Sequence, residues 1–349
     1  MGITGSTGKT GTKDMLYHMC TERYRTGRTI GNLNNHIGLP LTVLSFDEGI
    51  EVAVLEMGTE EIGEIRLLAD IARPDIGIIT NIGTAHLGTF GSRENIFRGK
   101  MEIRDFFDDE GVLIVNGDND MLSAERVSGH CRVISVSEGE NGDYRTTGIK
   151  ELGVDGIEFT VEHGGGSRGF RACVLGRHNA VNATLAVAAA MELGVSMEEA
   201  RRGLMKMPPA ANRLNVRAKG EVTVINDAYN ASPDSVKSGV ATLLSFEGKR
   251  KVAVIGDMLG LGEHSRRCHE ETGEWIAESG VDLLVLTGES ARHMADKAME
   301  RMGSDKVIYY SSRECLENEV RNLIADGDAV LVKGSRAMAM ERVAEKLLE

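Results

Sequence analysis

Cysteine is scarce in this chain and never paired. Its five cysteines, Cys20, Cys131, Cys173, Cys268 and Cys315, are scattered, no two within four residues of each other. That excludes zinc knuckles and redox pairs, and an odd number in a long chain reads as reduced thiols. Long apolar runs are missing as well. The most apolar stretch, residues 183–195, contains Glu192 and is too short to span a bilayer, so no membrane partner is expected. The opening Met-Gly-Ile-Thr-Gly-Ser lacks the pattern of a secretory leader, and a cytoplasmic location is expected. Positive charge is the third shortage. Lys plus Arg is 40 against 53 Asp plus Glu, a net charge of −13. Wrapping of nucleic acid or docking on anionic lipid is excluded, while a local basic pocket for a phosphate is not. Tandem repeats and low-complexity segments are also absent. The 349 residues, 41% hydrophobic and 27% charged, suit about two domains with buried cores.

What is present is an alternation of strand, loop and helix. Strands are expected at Val52–Glu56 and at residues 75–81, 111–116 and 132–136, with helices at 60–71 and 94–107. Such alternation predicts a parallel sheet with helices on both faces. Between residues 143 and 174 short runs at 145–150, 157–162 and 170–174 are separated by Gly-rich turns, which predicts a small antiparallel patch. An Ala-rich helix at 179–193 follows, then one starting at Ser196, an N-cap with Glu199 three residues on. Pro208-Pro209 breaks the chain, and the domain boundary is placed at 209–212. Beyond it, strands at 221–226, 251–255, 282–286, 306–309 and 329–332 alternate with helices at 232–245, 265–278, 290–302, 313–325 and 336–348. The predicted class is α/β. Residues 1–210 form a P-loop-type central domain with a mainly parallel sheet plus the antiparallel patch, and residues 211–349 a Rossmann-like α/β domain.

The strongest local signal is Gly5-Ser6-Thr7-Gly8-Lys9-Thr10. A glycine loop ending in Gly-Lys-Thr at a helix start offers backbone N–H groups to phosphate oxygens. Lys9 would reach the β- and γ-phosphates, and the Thr10 hydroxyl would ligate Mg²⁺. The strict pattern places a glycine where Ile3 stands, so this is a variant loop, and a Gly-rich turn with a chance lysine is the bland alternative. Only residues 1–4 precede it, so its strand is either very short or incomplete. Three residues downstream stand where α/β folds place chemistry. Glu56 ends a strand and could hold a cation, or could be a solvated strand-end acid. His86 lies on the loop after the next strand and could be a metal ligand or a satisfied loop histidine. Lys100, fourteen residues further on, falls on a helix, where a lysine is ordinarily a solvated face residue.

These strings together resemble the Mur ligases of peptidoglycan synthesis. The match runs through the phosphate loop, Asn34-Asn35-His36-Ile37-Gly38-Leu39-Pro40-Leu41-Thr42, Glu56-Met57-Gly58 and Asn81-Ile82-Gly83-Thr84-Ala85-His86. It continues through Gly176-Arg177-His178-Asn179, Asn226-Asp227-Ala228-Tyr229-Asn230-Ala231-Ser232-Pro233, Gly256-Asp257-Met258-Leu259 and Val332-Lys333-Gly334-Ser335-Arg336. The resemblance is strongest to the branch that adds D-alanyl-D-alanine, and it implies an ATP-dependent, ADP-forming amide ligase. A UDP-muramoyl tripeptide and D-Ala-D-Ala would be its small-molecule substrates, the reaction running through an acyl phosphate. It further implies two Mg²⁺ ions, one held by Thr10 and Glu56 and a second helped by His86, with Lys100 carbamylated to face the metal. Gly5 to Gly11, Asn179, Asn182, Asp227 and Tyr229 would serve the nucleotide, and Arg213 would reach the phosphates as the domains close. Asn230, Asp257, Lys333, Ser335 and Arg336 would face the substrates. Gly11 departs from the Thr or Ser that the family has at that place. Family members also carry an N-terminal domain of roughly 80–100 residues for the UDP-sugar, so a chain starting at the phosphate loop is expected to bind that substrate weakly. A monomer is expected. The alternatives are another ligase of the superfamily, such as the folylpolyglutamate type, and a non-catalytic nucleotide-binding module.

Overall fold

The computed structural model describes residues 1–208 and 214–349. The expected boundary at 209–212 and the candidate nucleotide ligand Arg213 lie outside the described residues. The chain divides into two compact units. One comprises Met1–Gly83 and Phe90–Pro208, the other Thr84–Thr89 and Pro209–Glu349. Among the described residues no helix is long and apolar enough to cross a membrane.

The first unit is built on nine strands: β1 (Gly2–Thr4), β2 (Thr26–Arg28), β3 (Val52–Glu56), β4 (Ile76–Ile79), β5 (Val112–Asn116), β6 (Arg132–Ser137), β7 (Tyr144–Glu151), β8 (Ile157–His163) and β9 (Gly166–Ala172). Their order is β2-β3-β1-β4-β5-β6-β7-β8-β9. Pairing is parallel up to β7, and β7, β8 and β9 continue antiparallel. The strand before the phosphate loop is therefore present but only three residues long. It sits mid-sheet, Ile3 in register with Glu56 on one side and with Ile78 on the other. Flanked on both sides, β1 and β4 are wholly buried, which is why β4, Ile-Gly-Ile-Ile, reads as an apolar run without alternation.

Against this sheet lies the helix His178–Glu192. Every residue from Ala180 to Ala190 is buried. Six alanines in that span keep the helix narrow enough to be enclosed by neighbours on all sides, including the helix Lys9–Cys20. Thr146 reaches into it, donating to the Thr184 hydroxyl at 2.8 Å. The helix Met197–Met205 carries the expected Ser196–Glu199 capping box.

The second unit holds β10 (Asn215–Lys219), β11 (Val222–Asp227), β12 (Lys251–Gly256), β13 (Leu283–Thr287), β14 (Val307–Tyr310) and β15 (Ala329–Lys333), ordered β10-β11-β15-β12-β13-β14. All neighbours are parallel except β10 with β11. Its own core gathers Val252, Val254, Val285, Val330, Val332 and Val343.

Several boundaries differ from expectation, each for a local reason. The helix expected from residue 60 is Glu64–Ala72, because the Glu64 carboxylate accepts the N–H groups of Glu60 and Glu61 and holds them in a turn. The helix expected over 94–107 ends at Met101 and tightens into a 3₁₀ turn, Glu102–Arg104. Glu102 leaves that axis to accept the N–H groups of Gly63 and Arg66. The last run of the antiparallel patch lies at β9 rather than 170–174, since the turn at Gly164 and Gly165 brings Gly166 opposite His163. The final helix is Glu341–Leu348, because Ala339 adopts φ +48° after a 3₁₀ turn at Arg336–Met338. Strands β2 and β10 and the helix Gly38–Leu44 were not expected.

Candidate active site

The phosphate loop leaves β1 through Gly5, whose φ is +148°, and a Cβ there would sit 1.8 Å from Thr80 Oγ1. Gly8, at φ +82°, starts the helix Lys9–Cys20, and a Cβ on it would press on the Asn182 amide at 2.9 Å. Both positions need glycine. The loop is stitched to the end of β4. Ser6 N–H donates to the Asn81 carbonyl at 3.1 Å, and Thr7 N–H to Asn81 Oδ1 at 2.9 Å. The Asn81 amide donates back to Thr7 Oγ1 at 2.8 Å, Thr80 Oγ1 donates to the Thr7 carbonyl, and Gly83 N–H donates to Ser6 Oγ at 2.9 Å. Ser6 and Thr7 thus shape the loop. Lys9 Nζ folds back to the Gly5 carbonyl at 2.8 Å.

At the next strand end, Glu56 is 2% exposed. Thr10 Oγ1 donates to its Oε2 at 2.8 Å and Asn34 Nδ2 to its Oε1 at 2.7 Å, while its own N–H donates to Thr29 Oγ1. Lys13 Nζ lies 3.9 Å from Oε2 and 3.4 Å from Asp14, itself paired with Arg28 at 2.9 Å. A buried carboxylate beside a hydroxyl offers hard oxygen ligands, and the pair fits Mg²⁺, while the Asn34 amide turns its NH₂ group to the carboxylate. Among the described residues no group of three or more His, Cys, Asp or Glu could hold a metal, so a site here would rest on the single carboxylate of Glu56 together with Thr10 and ligands of other kinds.

Lys100 lies on the helix Arg93–Met101 but is only 3% exposed. Burial pushes its pKa well below the ordinary lysine range, and the nearby charge of Lys9 pushes the same way. The solvated-face alternative does not hold for it. Asn179 and Asn182 are joined, the Asn182 amide donating to Asn179 Oδ1 at 3.2 Å while the Asn179 amide donates to the Leu175 carbonyl. Gly11 packs near Asn179, where a Cβ would lie 3.8 Å from Oδ1. His86 belongs to the segment that clusters with the second unit and takes φ +59°.

In the second unit, Asp227 and Lys333 end adjacent strands in register and form a close pair, Nζ to Oδ2 at 2.6 Å. Lys333 is 2% exposed and also donates to the Asn230 carbonyl, so its charge is spent on the loop after β11. Asn230 is exposed, its Oδ1 accepting from Ala231 N–H, and Tyr229 beside it is half-buried. The Asp257 carboxylate accepts from Ala291 N–H at 2.6 Å and the Ser335 hydroxyl from Leu259 N–H at 2.8 Å. Arg336 is exposed and paired with Glu341. Asn34, Lys13 and Thr80 were not singled out as site residues. Lys13 had one legible signal, its place one helical turn after Lys9 on the same face; Asn34 and Asn81 stood inside strings read only as signatures.

Comparison with known proteins adds a lineage to this geometry. The Mur ligase middle domain matches residues 3–190, and the domain described as "Mur ligase, glutamate ligase domain" matches residues 212–336. The UDP-N-acetylmuramoyl-tripeptide–D-alanyl-D-alanine ligase of Bacillus subtilis (strain 168) is 38% identical over 351 residues, covering 100% of this chain and 76% of the relative. A crystal structure of MurF from Acinetobacter baumannii superposes with a TM-score of 0.91 at 36% identity, covering 99% of this chain and 76% of that one. MurF ligase from Thermotoga maritima, in complex with ADP, gives a TM-score of 0.86 at 31% identity, covering 99% of this chain and 78% of that one. With a stitched phosphate loop, a buried strand-end glutamate and matches along nearly its whole length, the chain belongs to the Mur ligase family.

Proposed function

We propose that the chain is an ATP-dependent ligase that joins D-alanyl-D-alanine to a UDP-N-acetylmuramoyl tripeptide in peptidoglycan synthesis, forming ADP and phosphate. The names of its relatives support the substrate pair. One observation carries the chemistry: Thr10, the residue after the loop lysine, touches the buried Glu56 at the end of the neighbouring strand.

In this reading the tripeptide carboxylate attacks the γ-phosphorus of ATP, ADP leaves, and an acyl phosphate results. The dipeptide amine then attacks the acyl carbon, and phosphate departs from a tetrahedral intermediate. Two anions must meet in the first step, so cations must screen them. The backbone of Gly5–Gly8 and the Lys9 ammonium supply part of that screening. Thr10 and Glu56 would hold one Mg²⁺ and a modified Lys100 would face a metal, whose charge would be set against that of the phosphates. Lys100 serves this role only after reaction with CO₂. Burial favours its neutral amine; the amine nitrogen forms a bond to the CO₂ carbon, a proton leaves to water, and a carbamate anion replaces a cation that would repel the metal. Asn179 and Asn182 would lie near the base. Asp257 and the loop Lys333 to Arg336 would serve the amine substrate, Lys333 and Ser335 by shaping the loop.

Phosphate release tests the reading. With ATP, Mg²⁺ and UDP-muramoyl tripeptide, D-Ala-D-Ala is expected to drive turnover that Lys9→Ala abolishes. Turnover only with a free amino acid would assign the chain to another ligase of the family. Equal silence of wild type and variant would leave a nucleotide-binding module.

A further inference from the structure

The turn that follows β12 is held from several sides within the second unit, and one of its holders has no part in the chemistry above. Ser335 N–H donates to the Asp257 carbonyl at 3.0 Å, and Leu259 N–H donates to Ser335 Oγ at 2.8 Å. The Asp257 carboxylate accepts from Ala291, first residue of the helix Ala291–Met302. Between them, Met258 N–H donates to His269 Nε2 at 3.1 Å. His269 is fully buried on the helix Ser265–Ser279, and its Nδ1 lies 2.8 Å from the Ser265 carbonyl, one turn earlier. A carbonyl only accepts, so Nδ1 carries the proton. An N–H only donates, so Nε2 carries the lone pair. Two backbone groups therefore fix a single neutral tautomer.

Met258 is 1% exposed, so without His269 its N–H would be buried with no partner and the turn would move to find one. The turn stands at the carboxyl end of β12, beside the end of β15, and such strand ends are where doubly wound sheets receive ligands. Leu259 is its exposed member, at 47%. An apolar side chain standing out of a clamped turn suits a short peptide with methyl side chains.

We propose that His269 is a positioning residue: as the neutral Nδ1–H tautomer it sets the Asp257–Leu259 turn, which presents Leu259 to the amine substrate. This rests on the ligase reading, with D-Ala-D-Ala as the amine. The test uses the full chain, with His269→Leu and His269→Gln. Nitrogen-15 NMR of the wild type at pH 7.5 should show His269 protonated at Nδ1 and bare at Nε2. His269→Leu should raise the KM for D-Ala-D-Ala roughly tenfold or more while the KM for ATP stays within about twofold. Glutamine, whose amide oxygen can accept from Met258, should return the dipeptide KM to within about threefold of wild type. An Nε2–H ring or an imidazolium overturns the proposal even if the leucine variant fails to fold. So does an unchanged dipeptide KM in His269→Leu, an equal rise in both KM values, or a glutamine variant as impaired as the leucine one. If the wild type ligates a different amine, the substrate reading falls alone, and the same KM comparison is made with that amine.

Discussion

Glu56 carries the sharpest consequence for a single side chain. Replacing Glu56 with Gln keeps the contacts to Thr10 and Asn34 within reach but removes the charge, and kcat in phosphate release is expected to fall about a hundredfold or more. A fall of less than about threefold would remove Glu56 from the chemistry. Thiol reactivity separates the cysteines. Burial pushes the Cys20 thiol up to about 12, whereas Cys173 and Cys315 are exposed. Brief iodoacetamide treatment at pH 8, followed by mass spectrometry, should label Cys173 and Cys315 and leave Cys20 untouched; rapid labelling of Cys20 would contradict its packing. His269 makes stability depend on pH. Burial lowers its pKa below the unfolded value of about 6.5; the neighbouring Asp257 works against that and His293 adds to it. The unfolded chain then binds the proton first, so the contribution is complete above pH 6.5 and is lost as pH falls through the folded value. The melting temperature of wild type should drop more between pH 7.5 and 5.5 than that of His269→Gln, and equal drops would exclude the effect.

Elements show where local sequence stops deciding. The phosphate loop was legible because its glycines, lysine and threonine are adjacent in the chain. The contact of Asn34 with Glu56, and the stitching of Thr7 to Asn81, join residues far apart in sequence, and no local period reports them. The helix start moved from 60 to Glu64 because a carboxylate caught the N–H groups behind it. Strand β2, Thr-Gly-Arg, is too short to alternate, and β10 is polar and mostly exposed. The side-chain surroundings of Lys100 were hidden too, since a lysine on a helix normally points to water. Helix packing gives its own prediction. Gly203 lies on Met197–Met205 where a Cβ would come within 2.2 Å of the His18 carbonyl. Gly203→Ala should destabilise the protein by about 1–3 kcal/mol, measured by urea unfolding, whereas an exposed glycine such as Gly164 has no such neighbour. No loss at Gly203 would mean that the two helices sit farther apart.

At the scale of the molecule, each unit has its own sheet and its own core, and the α/β class was legible from the alternation of apolar runs with helical periods. A fragment of residues 209–349 should therefore unfold cooperatively in urea when followed by circular dichroism, somewhat less stable for lack of Thr84–Thr89. A gradual, sloping loss of signal would mean that the unit cannot stand alone. The sheet of the first unit also ends in a particular way. At one rim stands β2, three residues long, and at the other β9, Gly-Ser-Arg-Gly-Phe-Arg-Ala, with Arg168 and Arg171 exposed. Neither rim makes a good template for a foreign strand, one for want of length and the other for its glycines and like charges. Along these two borders, crowded copies should accordingly not join strand to strand, since neither border invites a neighbour to zip on.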